Sequence, residues 1–240
     1  MRRKAVLIIH GFVGCLYDNE YLMNYLELDN KFDVFARTLP GHYENDNYQK
    51  VTYQDWIKFT DDSIQNLIKF GYHEIYLIGH SMGGVLASLF ATKYKEIKKI
   101  VLINAAFNYL NLKQNKVDIL ENKDYKDYLE VFDKILHTSI PFFLEFVKLV
   151  KEHHNTLKSV YKESLILQSD SDQVVPIENG IKIYDDLGSK NKYLTYLKQA
   201  RHEILNGEDE NIERKKEIAE YIRLFLKGGY KWRKTWKEKI

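Results

Sequence analysis

Ile75-Tyr76-Leu77-Ile78-Gly79-His80-Ser81-Met82-Gly83 runs from a short apolar segment into a stretch of helical periodicity, 84–94. An apolar run followed at once by Gly-x-Ser-x-Gly and then a helix predicts a sharp strand–turn–helix with the serine at its apex. The flanking glycines fit because a side chain at either position would collide with the neighbouring helix and strand. Such a turn lifts the Ser81 hydroxyl above the sheet edge and aims a helix N-terminus at it. Both features suit a serine that attacks a carbonyl carbon.

Working outward, short apolar runs alternate with amphipathic stretches. The runs predict strands at 5–9, 33–37, 75–78, 100–103, 164–168 and 193–197. Several are apolar without alternation, as in strands buried on both faces of a parallel sheet. Helices are expected at 21–26, 52–70, 84–94, 178–186 and 210–225. In the second of these, Trp56, Phe59, Ile64, Leu67 and Ile68 share one face. The alternation implies an α/β fold: a mostly parallel sheet of about six strands, with right-handed crossovers and helices on both faces. One stretch breaks the rhythm. Residues 107–161 read as helical without a strand and carry Tyr125, Tyr128, Phe132, Phe142, Phe143 and Phe146. A long insertion beside a functional sheet edge suggests a lid or pocket wall; extra helices packed on the scaffold are the plainer reading. The expected organisation is one domain over 1–240 with this insertion.

Composition bounds the function. The chain has 240 residues, 45% of them hydrophobic, enough for a sizeable core. Thirty-six basic against 34 acidic residues give a net charge of +2, which argues against a nucleic-acid surface spread over the whole protein. The single cysteine, Cys15, excludes an internal disulfide and fits a reducing compartment. Basic residues before the first apolar run resemble a signal peptide only superficially, because His10-Gly11 cuts the run short. No segment approaches a membrane span. The expectation is a soluble cytoplasmic protein. Gly228-Gly229 should end the last helix, and a basic tail with Trp232 and Trp236 follows. The tail reads either as transient contact with an anionic membrane surface or as a solvated segment with docked tryptophans; its charge pattern favours the second.

A serine nucleophile needs a base, an orienting acid and donors for the oxyanion. The elbow fold orders these as Ser, acid, His along the chain. Of His137, His153, His154 and His202, only His202 follows a strand by a short loop and precedes a terminal helix. That puts it at the C-terminal sheet edge with Ser81. His153 and His154 are adjacent, so they cannot both face one site on a helix; they read as surface residues. The acid belongs after the strand at 164–168, where Asp170 and Asp172 both qualify. Asp172 lies further along the loop, while Asp170 suits a turn-stabilising bond to the backbone. The oxyanion donors should be the backbone N–H groups of Met82 and of Phe12, in the loop His10-Gly11-Phe12-Val13-Gly14. His10 and His80 are assigned structural roles by position, and Cys15 reads as a small buried side chain.

With these parts in order, the chain resembles the α/β-hydrolase superfamily, and within it bacterial carboxylesterases and monoacylglycerol lipase-like enzymes. The resemblance spans about residues 5–225. It rests on His10-Gly11-Phe12-x-Gly14, Leu39-Pro40-Gly41-His42, Gly79-His80-Ser81-Met82-Gly83-Gly84, Asp172-x-x-Val175-Pro176 and Arg201-His202-Glu203-Ile204-Leu205-Asn206. The family pattern places the aspartate three residues before that valine, which selects Asp172, and places a helical cap where 107–161 falls. Two departures stand out: the family's antiparallel N-terminal strands are missing, and Tyr43 follows Pro-Gly-His where another glycine is usual. The resemblance implies a Ser81–Asp172–His202 triad hydrolysing short-to-medium acyl esters or monoacylglycerols through an acyl-enzyme. It implies a small-molecule ester as partner and neither metal nor organic cofactor. Acyl transfer, thioester or peptide cleavage and carbon–carbon hydrolysis use the same scaffold, as does a non-catalytic ligand receptor.

Overall fold

The computed structural model describes residues 3–43, 50–107, 140–205 and 212–228. Within these, six strands form one sheet: β1 Lys4–Ile9, β2 Phe32–Ala36, β3 Ile75–His80, β4 Ile97–Ile103, β5 Glu163–Ser169 and β6 Lys192–Leu197. Their order is β2-β1-β3-β4-β5-β6, and every neighbouring pair is parallel. Six α-helices are described: α1 Glu20–Glu27, α2 Tyr53–Lys69, α3 Met82–Lys93, α4 Ile140–His153, α5 Glu178–Asp186 and α6 Ile212–Lys227. The α/β sheet anticipated from the alternation is therefore present. Most of the expected insertion (108–139), including Tyr125, Tyr128 and Phe132, lies outside the described residues, as does the basic tail from 229 onward.

The inner strands β1, β3, β4 and β5 read as largely apolar runs because both of their faces are covered, whereas the edge strands β2 and β6 are only partly buried. Along β1, Ala5, Leu7 and Ile9 enter one core with α2, α3, α4 and α5. Val6 and Ile8 enter the other with α1 and α6. This is the period-2 alternation of a strand, made invisible in the sequence because both faces need apolar side chains. Helix α3 is the extreme case. It packs on β1, β3 and β4, with α2, α4 and the 3-10 turn Thr156–Ser159 also against it, and residues from Met82 to Ser88 are all buried. Helix α2 is amphipathic and begins at Thr52, whose N–H and Oγ1 both donate to Asp55 Oδ2 at 2.8 Å, in the manner of a capping box.

One strand is longer than its apolar run. β4 begins at Ile97, paired with Ile75, with a register irregularity between Ile75 and Tyr76. Lys98 and Lys99 mask this start in the sequence. Lys99 is buried, yet its Nζ lies 3.1 Å from Glu163 and donates to the Phe225 carbonyl at 2.7 Å. The ammonium thus meets a carboxylate and a C-terminal carbonyl of α6, both of which favour a cation. Helix α6 ends as the sequence suggests: Gly228 has φ 73° and its N–H donates to Phe225 O.

The sheet order fixes where a site can be. From β1 the chain moves outward to β2, then returns across β1 to β3. A crevice opens where that direction reverses, outside the carboxyl ends of β1 and β3. Because all strands are parallel, the loops after β1, β3, β4, β5 and β6 all emerge on this edge.

Candidate active site

Ser81 occupies the turn between β3 and α3 with φ 51° and ψ −117°. An L-residue held there costs about 1–3 kcal/mol, which the surroundings must over-determine. Ser81 N–H donates to Ile103 O at 2.9 Å, and Ser81 O accepts from Gly84 N–H at 3.0 Å and Ala106 N–H at 3.2 Å. The glycines make the turn sterically possible. A Cβ on Gly83 would lie 2.1 Å from the Ile9 carbonyl oxygen, and one on Gly79 would lie 2.3 Å from the Gly83 carbonyl oxygen. Both contacts are with backbone, so no rotamer change relieves them. Met82 is the first residue of α3, where an amide has no acceptor within its own helix.

His202 and Asp172 come together from loops thirty residues apart. His202 Nδ1–H donates to Asp172 Oδ2 at 2.8 Å. The Asp172 side chain has no solvent exposure and that of His202 has 10%. A carboxylate withdrawn from water this far needs its lone pairs occupied. Here Asp172 Oδ1 also accepts from the N–H groups of Val174 (2.8 Å) and Val175 (2.9 Å). Asp170 does something else: its Oδ1 accepts from Gln199 N–H at 2.6 Å and from Ser171 Oγ at 2.9 Å, bracing the two loops near the surface. His202 sits against the turn at Ser81, since its ring centroid is 4.9 Å from that of His80, the residue preceding Ser81. His80 Nε2 donates to the His202 carbonyl at 2.9 Å.

The loop after β1 lies beside Ser81. A Cβ on Gly11 would be 3.1 Å from Ser81 Cβ, so this glycine permits the approach. Gly14 N–H donates to Gly11 O, closing a turn that contains Phe12. Val13 in that turn has φ 61°, an outlier for a β-branched residue and the kind of strain that gathers at ligand sites. His10 ties the loop down: its Nδ1–H donates to Gly11 O at 2.7 Å, and its Nε2 accepts Leu39 N–H at 2.9 Å. Burial, with a smaller contribution from neighbouring His42, pushes the His10 pKa down to about 3. The unfolded chain takes up this proton near pH 6.5 and the folded chain does not. This group therefore costs nothing above pH 6.5, and costs up to about 1.4 kcal/mol per pH unit as pH falls from there toward 3. At pH 5 that amounts to about 2 kcal/mol. Urea unfolding at pH 7 and pH 5 should show a steeper loss in wild type than in His10→Asn.

An aromatic wall stands over this loop. The Phe12 ring stacks on Phe146 at 5.1 Å and lies 5.2 Å from Phe142, both on α4. Trp56 and His42 meet Phe12 edge-on at 6.1 and 6.0 Å. Gly41 allows the Phe142 ring to reach the backbone, since a Cβ there would lie 2.7 Å from it. Cys15 is half-buried, and burial raises its thiol pKa, which keeps it in the unreactive form. His154 is exposed and His153 half-buried, its pKa lowered by that burial.

Among the described residues, one group could offer three metal-ligand atoms: His80, His202 and Glu203, within 4.8 Å of one another. In it, His202 Nδ1 already serves Asp172 and His80 Nε2 serves the His202 carbonyl. A groove of about 870 Å³ lies elsewhere, lined by α1, the turn that follows it and α6, with Tyr25, Asp29 and Arg223 among the lining residues. Its charges are largely paired among themselves, as in Arg223 with Asp29 and Glu220. Among the described residues, no helix is long and apolar enough to cross a membrane.

Two residues of this edge gave little sign of themselves in the sequence. Val13 carries a left-handed backbone without being glycine. Asn104, just after β4, has φ 44° and is fully buried; the only hint is an Asn following an apolar run, since Asn tolerates that conformation.

Comparison with known proteins agrees with this architecture. A family model described as "alpha/beta hydrolase fold" matches residues 4–136, and one described as "Serine aminopeptidase, S33" matches residues 133–210. The thermostable monoacylglycerol lipase of Bacillus sp. (strain H-257) is 25% identical over 212 residues, covering 82% of each chain. The carboxylesterase of Bacillus subtilis (strain 168) is 22% identical over 218 residues, covering 84% of this chain and 85% of that one. Among solved structures, one from work on two metagenome-derived lipolytic enzymes, LipS and LipT, superposes with a TM-score of 0.76 at 23% identity, covering 94% of each chain. With the first model spanning more than half of its length, the chain belongs to the α/β-hydrolase fold family.

Proposed function

We propose that this hydrolase cleaves carboxylic esters through an acyl-enzyme formed on Ser81. In this reading His202 Nε2 takes the Ser81 proton as Oγ attacks the ester carbonyl. Asp172 keeps the other ring proton on Nδ1 and stabilises the imidazolium that forms. The amides of Phe12 and Met82 bind the oxyanion, each worth about 10²–10³ in rate. His202 then protonates the leaving alcohol and activates the water that releases the acid. The observation that carries this reading is the 2.8 Å His202–Asp172 hydrogen bond, buried beside a serine held in a strained turn. The names of the Bacillus relatives, a monoacylglycerol lipase and a carboxylesterase, support the ester substrate.

Helix α4 would form part of a cap over the site. Its Phe142, Phe143 and Phe146, with Phe12, form an apolar wall suited to an acyl chain. The test is a series of p-nitrophenyl esters of increasing acyl length, run on wild type and Phe143→Ala. Each methylene that the wall contacts is worth about 0.8 kcal/mol, or about fourfold in kcat/KM. Wild type should prefer short-to-medium chains, and Phe143→Ala should move the optimum to longer ones. Absence of turnover across the series would overturn the ester reading. Aminoacyl p-nitroanilides belong in the same series, because the second family match carries the description of an aminopeptidase.

A further inference from the structure

We propose that Asn104 is a positioning residue that sets the spacing between the loop carrying Asp172 and the loop carrying His202. The inference rests on the reading of these two residues as acid and base, and adds the part that holds them in register. Asn104 follows β4, between the loops after β3 and β5. Its Oδ1 accepts Ser169 N–H at 2.8 Å, at the end of β5 and three residues before Asp172. Its Nδ2 donates to the His202 carbonyl at 2.9 Å and to Ser169 Oγ at 3.0 Å, with the Arg201 carbonyl at 3.4 Å. Ser169 Oγ in turn donates to Arg201 O at 3.0 Å. The amide orientation is dictated by its partners: the oxygen faces a backbone donor, the nitrogen faces acceptors.

The same short segment also brackets the nucleophile. Ile103 O accepts from Ser81 N–H, and Ala106 N–H donates to Ser81 O. One strand-end loop therefore touches the backbone of Ser81, of the base and of the strand that leads to the acid. The left-handed backbone at Asn104 turns its amide into the space between β5 and the His202 loop. His80 Nε2 supplies a second donor to the His202 carbonyl from the β3 side. A carbonyl held from two strands fixes the peptide that carries the imidazole, and a displacement of about 1 Å at a reacting group can cost about 10²-fold in rate.

The test uses Asn104→Asp, Ser169→Ala and a control in the other core, Ile222→Val. Asp tolerates the left-handed backbone and keeps an acceptor for Ser169 N–H, but it sets an oxygen where Nδ2 faced the His202 carbonyl. The readouts are kcat and KM on a p-nitrophenyl ester, and the low-field proton NMR resonance of the His202 Nδ1–H. Asn104→Asp should lower kcat about 10- to 100-fold with KM within about twofold, and should shift or abolish the resonance. Ser169→Ala should do the same more weakly, about fivefold. Ile222→Val should change neither. The proposal is overturned if the resonance and kcat survive in Asn104→Asp, or if that variant does not fold and Ser169→Ala leaves both unchanged. A wild type that shows the resonance but hydrolyses no ester would sink the ester reading alone, and the resonance in the variants would still decide the role of Asn104.

Discussion

Ser81→Ala should lower ester turnover by a factor on the order of 10⁶, to the residual rate that binding and oxyanion donors supply. The size of the loss follows from the role proposed for Oγ: without it no acyl-enzyme forms, and His202 and Asp172 have nothing to activate. The fold should survive, because the substitution removes one nearly buried atom and leaves the backbone bonds of Ser81 to Ile103, Gly84 and Ala106 in place. A change of 1 kcal/mol would move the melting midpoint of a chain this size by about 2–4 °C, so a thermal melt beside the assay separates lost chemistry from lost structure. Equal activity in the folded variant would remove Ser81 from the mechanism.

Asp172→Asn should cost about 10⁴-fold in kcat with little effect on KM. An asparagine can keep its oxygen toward the Val174 and Val175 amides, the two donors that bind Oδ1 now. Its amide nitrogen must then face His202 Nδ1, which can no longer donate and becomes an acceptor. The ring proton moves to Nε2, the nitrogen proposed to receive the Ser81 proton, so the base is blocked while the geometry is kept. The parallel variant Asp170→Asn should reduce activity far less, because Asp170 meets Gln199 and Ser171 rather than the imidazole. Steady-state kinetics on one ester for the two variants check the pair; comparable losses would reassign the acid.

The inner strands were legible because burial on both faces leaves apolar runs with few interruptions. β4 shows the limit: its first residues hide behind Lys98 and Lys99, and only the three-dimensional meeting of Lys99 with Glu163 and Phe225 makes a buried lysine tolerable. Helix α3 was legible from the Gly-x-Ser-x-Gly turn that opens it more than from the periodicity read over 84–94, since a helix buried along nearly its whole length has little polar face. Gly79 and Gly83 announce the turn because backbone atoms occupy the place of their side chains. Asp170 and Asp172 were harder to separate from residues alone. The partners that distinguish them, Gln199 and His202, lie about thirty residues away and arrive only through the β5–β6 pairing. Val13 was illegible and Asn104 nearly so for a different reason: unlike Ser81, whose positive φ is announced by the glycines around it, their left-handed backbones lie in no recognisable motif and are imposed by tertiary contacts. His80 read as structural by its position, but its partner, the His202 carbonyl, depends on strands at distant points of the sequence.

The most direct test of a serine nucleophile served by His202 is covalent capture. The protein is incubated with a p-nitrophenyl alkylphosphonate, and the product is read by intact mass and peptide mapping. The expected result is one phosphonyl group per chain, on Ser81, formed with release of p-nitrophenol and slowed by several orders of magnitude in His202→Ala. A wild type that hydrolyses esters yet carries no adduct, or carries it on another residue, would contradict the mechanism.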